Sequence, residues 1–214
     1  MLQYLRTSSP AVLAALGQHV VLALLPVLIG LAVALPVGYL AHRFRWLYPP
    51  LLTISSVLYA VPSLALFVVL PVILGTQILD PLNIVVALSV YTVALLVRTV
   101  VDGLASVPPA VTAAATAVGF RPLGLLLRVE LPIAVPVILA GLRVATVSNV
   151  SLVSVGALLG VGGLGALFTD GLQRDYLAPI ITGIVLSVLL ALVLDSAIVG
   201  VQRVLTPWSR VGER

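Results

Sequence analysis

The stretch "AAATAVGFRPLGLLLRVELP", Ala113–Pro132, interrupts a very apolar chain with Arg121, Pro122, Arg128 and Glu130. It is too polar for a simple membrane span and too long for a tight turn. The chain around it has 214 residues, 61% of them hydrophobic and 8% charged, with a mean hydropathy of +1.26. A soluble domain is about 45–50% apolar and about 25% charged. No soluble fold of this length could hide so much apolar surface, so the solvent must be lipid. A helix needs roughly 20 apolar residues to cross the hydrocarbon, which allows about five or six spans and leaves little for a domain outside the membrane.

The remaining composition excludes several chemistries. There is no cysteine, hence no disulfide, thiol nucleophile or cysteine metal site. All eleven basic residues are arginine. A P-loop needs its lysine at the phosphates, so any ATP used must be hydrolysed by another chain. The net charge of +4 comes largely from arginines between apolar runs, which is a topology signal and not a nucleic-acid signature. His19 and His42 fall near opposite ends of one run and cannot share a metal ion. No carboxylate pair or nucleophile–base constellation is visible, and no catalytic site is expected.

The pattern predicts an all-α polytopic membrane protein with spans at about 20–41, 51–74, 84–104, 133–158 and 180–204. The first apolar run is longer than the core of a signal peptide, about 7–15 residues, and reads as a retained span. Pro26 and Pro36 interrupt it, as neighbouring helices in lipid can tolerate; Pro62 and Pro71 are expected to bend or break the second. Residues 1–16 form an extracytoplasmic segment, 17–205 the membrane domain, 105–132 the polar segment within it, and 206–214 a tail. Arg43, Arg45, Arg121, Arg128, Arg203, Arg210 and Arg214 fall on one side of a five-span chain, with only Arg6 and Arg174 on the other. By the positive-inside rule the N-terminus is outside, and the polar segment and C-terminus are cytoplasmic.

Within the polar segment, Ala113, Ala114 and Ala115 would let a partner approach a helix closely. Gly119 can end that helix, and Pro122 suits the first turn of the next. Two short surface helices joined by a glycine are expected. This resembles the signature of ABC importer permeases: Glu-Ala-Ala, three residues, Gly, nine residues, Ile, any residue, Leu-Pro. Ala114, Ala115, Gly119, Leu131 and Pro132 match by residue and spacing, Val129 stands for the isoleucine, and Ala113 replaces the glutamate. "YAVPSLALFVVLPVILG", "LLVRTVVDGLASVPPA", "VELPIAVPVILAGLRVATVSNVSLVSVGALLGVGGLG" and "LALVLDSAIVGVQRVLTP" are similar to the osmoprotectant branch of these permeases. That branch imports glycine betaine, carnitine, choline and related quaternary amines.

The resemblance implies the type I importer permease fold in a plasma membrane. It implies a non-catalytic translocation subunit working as a dimer with itself or a paralogous permease. ATPase chains, which bind the ATP and Mg, would dock on Ala113, Ala114, Ala115, Gly119, Arg121, Leu131 and Pro132, and an external substrate-binding protein would deliver the solute. This chain would hold no cofactor or metal and touch no nucleic acid. A methionine or other amino-acid permease is the nearest alternative. A secondary transporter would show related halves, which are not seen, and a membrane anchor would need no polar path.

Other residues carry weaker signals. Tyr59, Ser63, Tyr91, Ser148, Asn149 and Ser151 could line a translocation path, an aromatic ring being suited to a quaternary ammonium, or could serve helix packing. Arg143 and Asp195 lie at matched depths in the fourth and fifth spans, and charges in membranes are usually paired or functional; an ion pair is expected. Arg98 and Asp102 share a helical face and read as an interfacial anchor of the third span. "GVGGLG", Gly160–Gly165, fits G-x-G-x-x-G formally, but that motif needs a strand before it and an acid about 20 residues on. Close helix packing or a re-entrant element is expected there.

Overall fold

The computed structural model describes residues 2–208, and they are helical, without a strand among them; Arg210 and Arg214 of the expected tail lie outside the described residues. The order is α1 (Leu2–Thr7), α2 (Ser9–Arg43), a short 3-10 turn, α3 (Tyr48–Ala60), α4 (Ser63–Leu74), α5 (Pro81–Ala105), α6 (Pro109–Ala117), α7 (Pro122–Leu125), a π-helical segment Leu126–Glu130, α8 (Leu131–Gly156), α9 (Ala166–Gln173) and α10 (Leu177–Leu205). Four helices are long and apolar enough to cross a membrane, and α3 with α4 forms an apolar pair bent by 101°, the geometry of a broken span or a re-entrant loop.

The differences from the sequence reading have local causes. The first helix starts at Ser9, not near Val20, because Pro10 sits in its first turn, where the missing N–H costs nothing; residues 9–16 thus belong to the first helix. Pro26 and Pro36 stay inside it. The expected span 51–74 is two helices. Val61 and Pro62 are both extended, with ψ of 130°, because a residue preceding proline is pushed out of the α region. Pro71 does not break α4. The expected fourth span begins not at Ile133 but at Pro122, in one 38-residue helix running to Leu159, so the second surface helix is the first turns of that span. At the join, Leu131 N–H bonds to Leu126 O, an i→i−5 step. Pro132 has no N–H and its ring would strike the carbonyl four residues back; the π turn widens the helix where that happens.

The core sits around α5. Fifteen of its 25 residues are buried, against 4 of 29 in α10. Helices in lipid gain no hydrophobic drive from meeting one another, so they associate through close packing and interhelical hydrogen bonds. Both are present. Gly30 of α2 lies against Thr92, and Gly141 of α8 against Thr99. A Cβ on Gly38 would fall 2.7 Å from Val100 Cβ. The Asn149 amide of α8 donates to Thr92 Oγ1 at 3.0 Å and to Ala23 O of α2 at 3.4 Å. α2, α5 and α8 therefore form one tight three-helix shaft, on whose flanks α3, α4 and α10 are held.

Gly38→Leu should wedge α2 from α5 and lower the thermal midpoint of the purified protein in detergent, over-packing of this kind costing about 1–3 kcal/mol. Gly17→Ala, where nothing lies within 4 Å, should leave that midpoint in place or raise it slightly, since alanine is the better helix former.

Candidate functional site

At the end of the bundle where α2 and α5 finish and α8 begins, α6 stands out from the shaft without one buried residue. Its end is a Schellman motif: Gly119 N–H bonds to Thr116 O at 3.0 Å and Phe120 N–H to Ala115 O at 3.1 Å. The motif needs a left-handed residue at the turn, and Gly119 supplies it with φ +96°. The chain reverses there and enters Pro122 through Arg121 in extended conformation. Ala113, Ala114, Gly119 and Arg121 are exposed, while Ala115, Leu131 and Pro132 are half-buried. Val118 and Leu123 stand 81% and 69% exposed beside the turn. α6 is thus an exposed helix of mostly small residues, ended by a left-handed glycine turn flanked by exposed Val118 and Leu123.

Beneath α6 are two clefts of about 820 and 510 Å³. Both are lined by His42, Thr112 and Glu130. Ala113, where the signature has glutamate, faces the larger cleft with Glu130 and Arg43. Glu130 thus places a carboxylate in the cleft from the π turn. Sequence reasoning missed this convergence, since α2, α6 and the π turn meet only in three dimensions.

Of the residues proposed for a polar path, four come together. Tyr59, Tyr91, Ser148 and Asn149 line one small cavity in the middle of the bundle; Ser63, at the start of α4, and the exposed Ser151 do not line it. The Tyr59 and Tyr91 rings meet edge to face, centroids 5.9 Å apart. The Tyr91 hydroxyl donates to Val61 O at 2.5 Å, capping the carbonyl that the α3–α4 break sets free. Asn149 is spent on the interhelical clasp. Arg143 and Asp195 meet side on: Nε donates to Oδ1 at 2.6 Å and Nη2 to Oδ2 at 2.8 Å. This two-bond geometry is the strong form of the pair, and it pins α10 to α8.

The "GVGGLG" turn follows the other end of α8. Gly160 ends the helix with φ +83°. Gly163 N–H then donates to Gln18 Oε1 at 3.0 Å, and Leu164 N–H to His19 Nδ1 at 3.1 Å. His19, fully buried, donates from Nε2 to Val150 O at 2.9 Å. A donor at Nε2 and an acceptor at Nδ1 define one neutral tautomer. The turn is therefore clasped by α2 through the amides of Gly163 and Leu164. Among the described residues there is no cluster of three metal-ligating side chains.

The described residues thus form a helical membrane bundle with a projecting helix–glycine turn. The chain belongs to the family of binding-protein-dependent transport system inner membrane components, which it matches over residues 27–210. It is 35% identical over 193 residues to an osmoprotectant import permease protein of Salmonella typhimurium, covering 89% of each chain. It is 30% identical over 207 residues to a choline transport system permease protein of Bacillus subtilis, covering 97% of this chain and 94% of that one. The resemblance to the osmoprotectant branch of ABC importer permeases is borne out by these relatives. In fold it is similar to a methionine ABC transporter solved in inward-facing conformations, with TM-score 0.81 and 24% identity over 92% of this chain and 96% of that one.

Asp195→Asn should leave Arg143 half-buried without its countercharge and lower both the yield and the thermal midpoint of the protein in detergent. The double variant Arg143→Met/Asp195→Leu should recover most of the loss, since an apolar pair can replace an ion pair while one stranded charge cannot be accommodated. Size-exclusion and thermal-shift profiles of the three proteins read this directly.

Proposed function

We propose that this chain is the translocation subunit of an ATP-driven importer for a small osmoprotectant of the quaternary-amine class, such as glycine betaine, carnitine or choline. The observation that carries the mechanism is α6 with its Gly119 turn: an exposed helix without a buried residue, fixed to the first turns of the fourth span. A separate ATPase docks there. The substrate class rests on the relatives, named for osmoprotectant and choline transport. The importer carries two permease subunits, this chain with itself or with a paralogue, and an external binding protein delivers the solute.

In this reading the coupling end is cytoplasmic, because Arg43, Arg45, Arg121 and Arg128 cluster there and the positive-inside rule assigns them to that side; the N-terminus is outside. Closure of the ATPases displaces α6. Because Pro122–Leu159 is one helix, that displacement acts on the whole of the fourth span. The rigid shaft and the bent α3–α4 pair then reopen on the opposite side, and each ligand stabilises the state it prefers. Catalysis of ATP hydrolysis belongs to the partner, which holds ATP and Mg.

Co-expressed with its neighbouring ATPase, this chain should pull that ATPase down through an affinity tag. Gly119→Asp forces a side chain into a left-handed turn and a charge into the docking face. It should cut the recovered ATPase about tenfold or more, a loss of about 1.4 kcal/mol or greater in binding, while the permease itself still purifies. Equal recovery with the variant would refute docking at this turn.

A further inference from the structure

Alongside the shaft, between α3 and α5, lies an open cavity of about 460 Å³, within the range of small-molecule sites, about 300–1,000 Å³. Its walls set hydroxyls and charges among apolar side chains such as Leu52 and Ala94. On α3, Ser55, Ser56 and Tyr59 recur at helical spacing; on α5, Leu95, Arg98 and Asp102 do so, continuing the line of Tyr91. Such spacing puts each set on a single face. Arg98 is seven residues before the last residue of α5, about 10 Å along the axis at 1.5 Å per residue. An exposed charge at that depth belongs in an aqueous path or against a partner, and this one faces hydroxyls.

The groups are free to act. Arg98 and Asp102 approach only to 3.7 Å, and their side chains are 64% and 53% exposed. That is a contact between charges and not a hydrogen bond, unlike the closed Arg143–Asp195 pair. Tyr59 is half-exposed, whereas the Tyr91 hydroxyl is committed to Val61 O. The cavity has neighbours along α5: Tyr59 and Leu95 also line the small midbundle cavity, and Asp102 also lines the cleft at the coupling end.

The geometry points to the α3–α5 cavity as a solute subsite within the permease, in which the Tyr59 ring receives a quaternary ammonium and the Arg98 guanidinium receives the carboxylate of a zwitterionic solute. An aromatic face attracts such a cation, and a guanidinium fork matches a carboxylate. Asp102 holds Arg98 toward the cavity and offers a countercharge to the ammonium. The inference rests on the importer reading above and adds where the solute pauses and which end of it faces which residue.

The test is ATP-dependent import of radiolabelled glycine betaine and choline into proteoliposomes holding the full complex of permease, ATPase and binding protein. Arg98→Gln should cut glycine betaine import about tenfold or more, the scale of one lost charged hydrogen bond, and Arg98→Lys should restore part of it. Choline carries no carboxylate, so the betaine-to-choline ratio should fall. Tyr59→Leu should depress both solutes and Tyr59→Phe should recover them; Ser56→Phe, which fills the exposed side of the cavity, should block both if Tyr59→Leu fails to assemble. A wild-type ratio in Arg98→Gln, or a wild-type complex that carries choline but no carboxylated amine, overturns the assignment of Arg98. Import unaffected by both Tyr59→Leu and Ser56→Phe overturns the subsite and leaves the importer standing. A wild-type complex that carries no quaternary amine at all overturns the substrate reading, and the subsite falls with it.

Discussion

The contact on which the rest of the structure depends is the meeting of α2, α5 and α8 at three missing side chains. Gly30 and Gly38 let α2 lie on Thr92 and Val100, and Gly141 lets α8 lie on Thr99. In lipid these backbones have no water to escape, so dispersion at close range and a few hydrogen bonds must supply what hydrophobic burial supplies in a soluble core. Asn149, bonded to both neighbours, fixes the rotation of α8 on the other two. The shaft so formed carries every less regular element.

Two departures from helix are satisfied from that shaft. Backbone groups released in a membrane must find partners within the protein. At the α3–α4 break the freed Val61 carbonyl is met by Tyr91 of α5. At the glycine-rich turn the amides of Gly163 and Leu164 are met by Gln18 and His19 of α2. These two breaks are thus held by side chains of the central helices, which allows a bent pair and a glycine-rich turn to keep defined shapes. The formal dinucleotide pattern also lacks the strand that should precede it, and its Gly163 and Leu164 amides are bonded to α2.

The helical class, the membrane-spanning helices and the polar segment were legible because they are written in composition, in span length and in fixed spacing between small residues. Arg143 and Asp195 could be paired on paper because both stand roughly ten residues from the same end of the bundle. Other features depend on packing that no periodicity encodes. Pro62 and Pro71 look alike in the sequence, yet only Pro62 follows a residue driven extended, so only it turns the chain. The start of the fourth helix at Pro122 was hidden because Arg121, Arg128 and Glu130 interrupt the apolar pattern while the backbone continues through them. Asn149 in an apolar run suits a pathway or a neighbouring helix equally well, and the choice is made by Thr92 and Ala23.

The two arginine–aspartate pairs show how spacing decides the use of the same charges. Arg143 and Asp195 come from different helices and close in two short bonds; their attraction resists any separation of α8 from α10, so it is spent on assembly. Arg98 and Asp102 come from one helix, four residues apart and 3.7 Å from contact. Such a pair adds only a few tenths of a kcal/mol to its own helix and resists no movement of α3 against α5. It leaves a guanidinium and a carboxylate facing a cavity whose other wall, α3, is held at a proline break. A site that must bind a solute and then release it needs charges of this second kind, poised but not saturated, beside an element able to shift. A pair as tight as Arg143–Asp195 would offer the solute nothing.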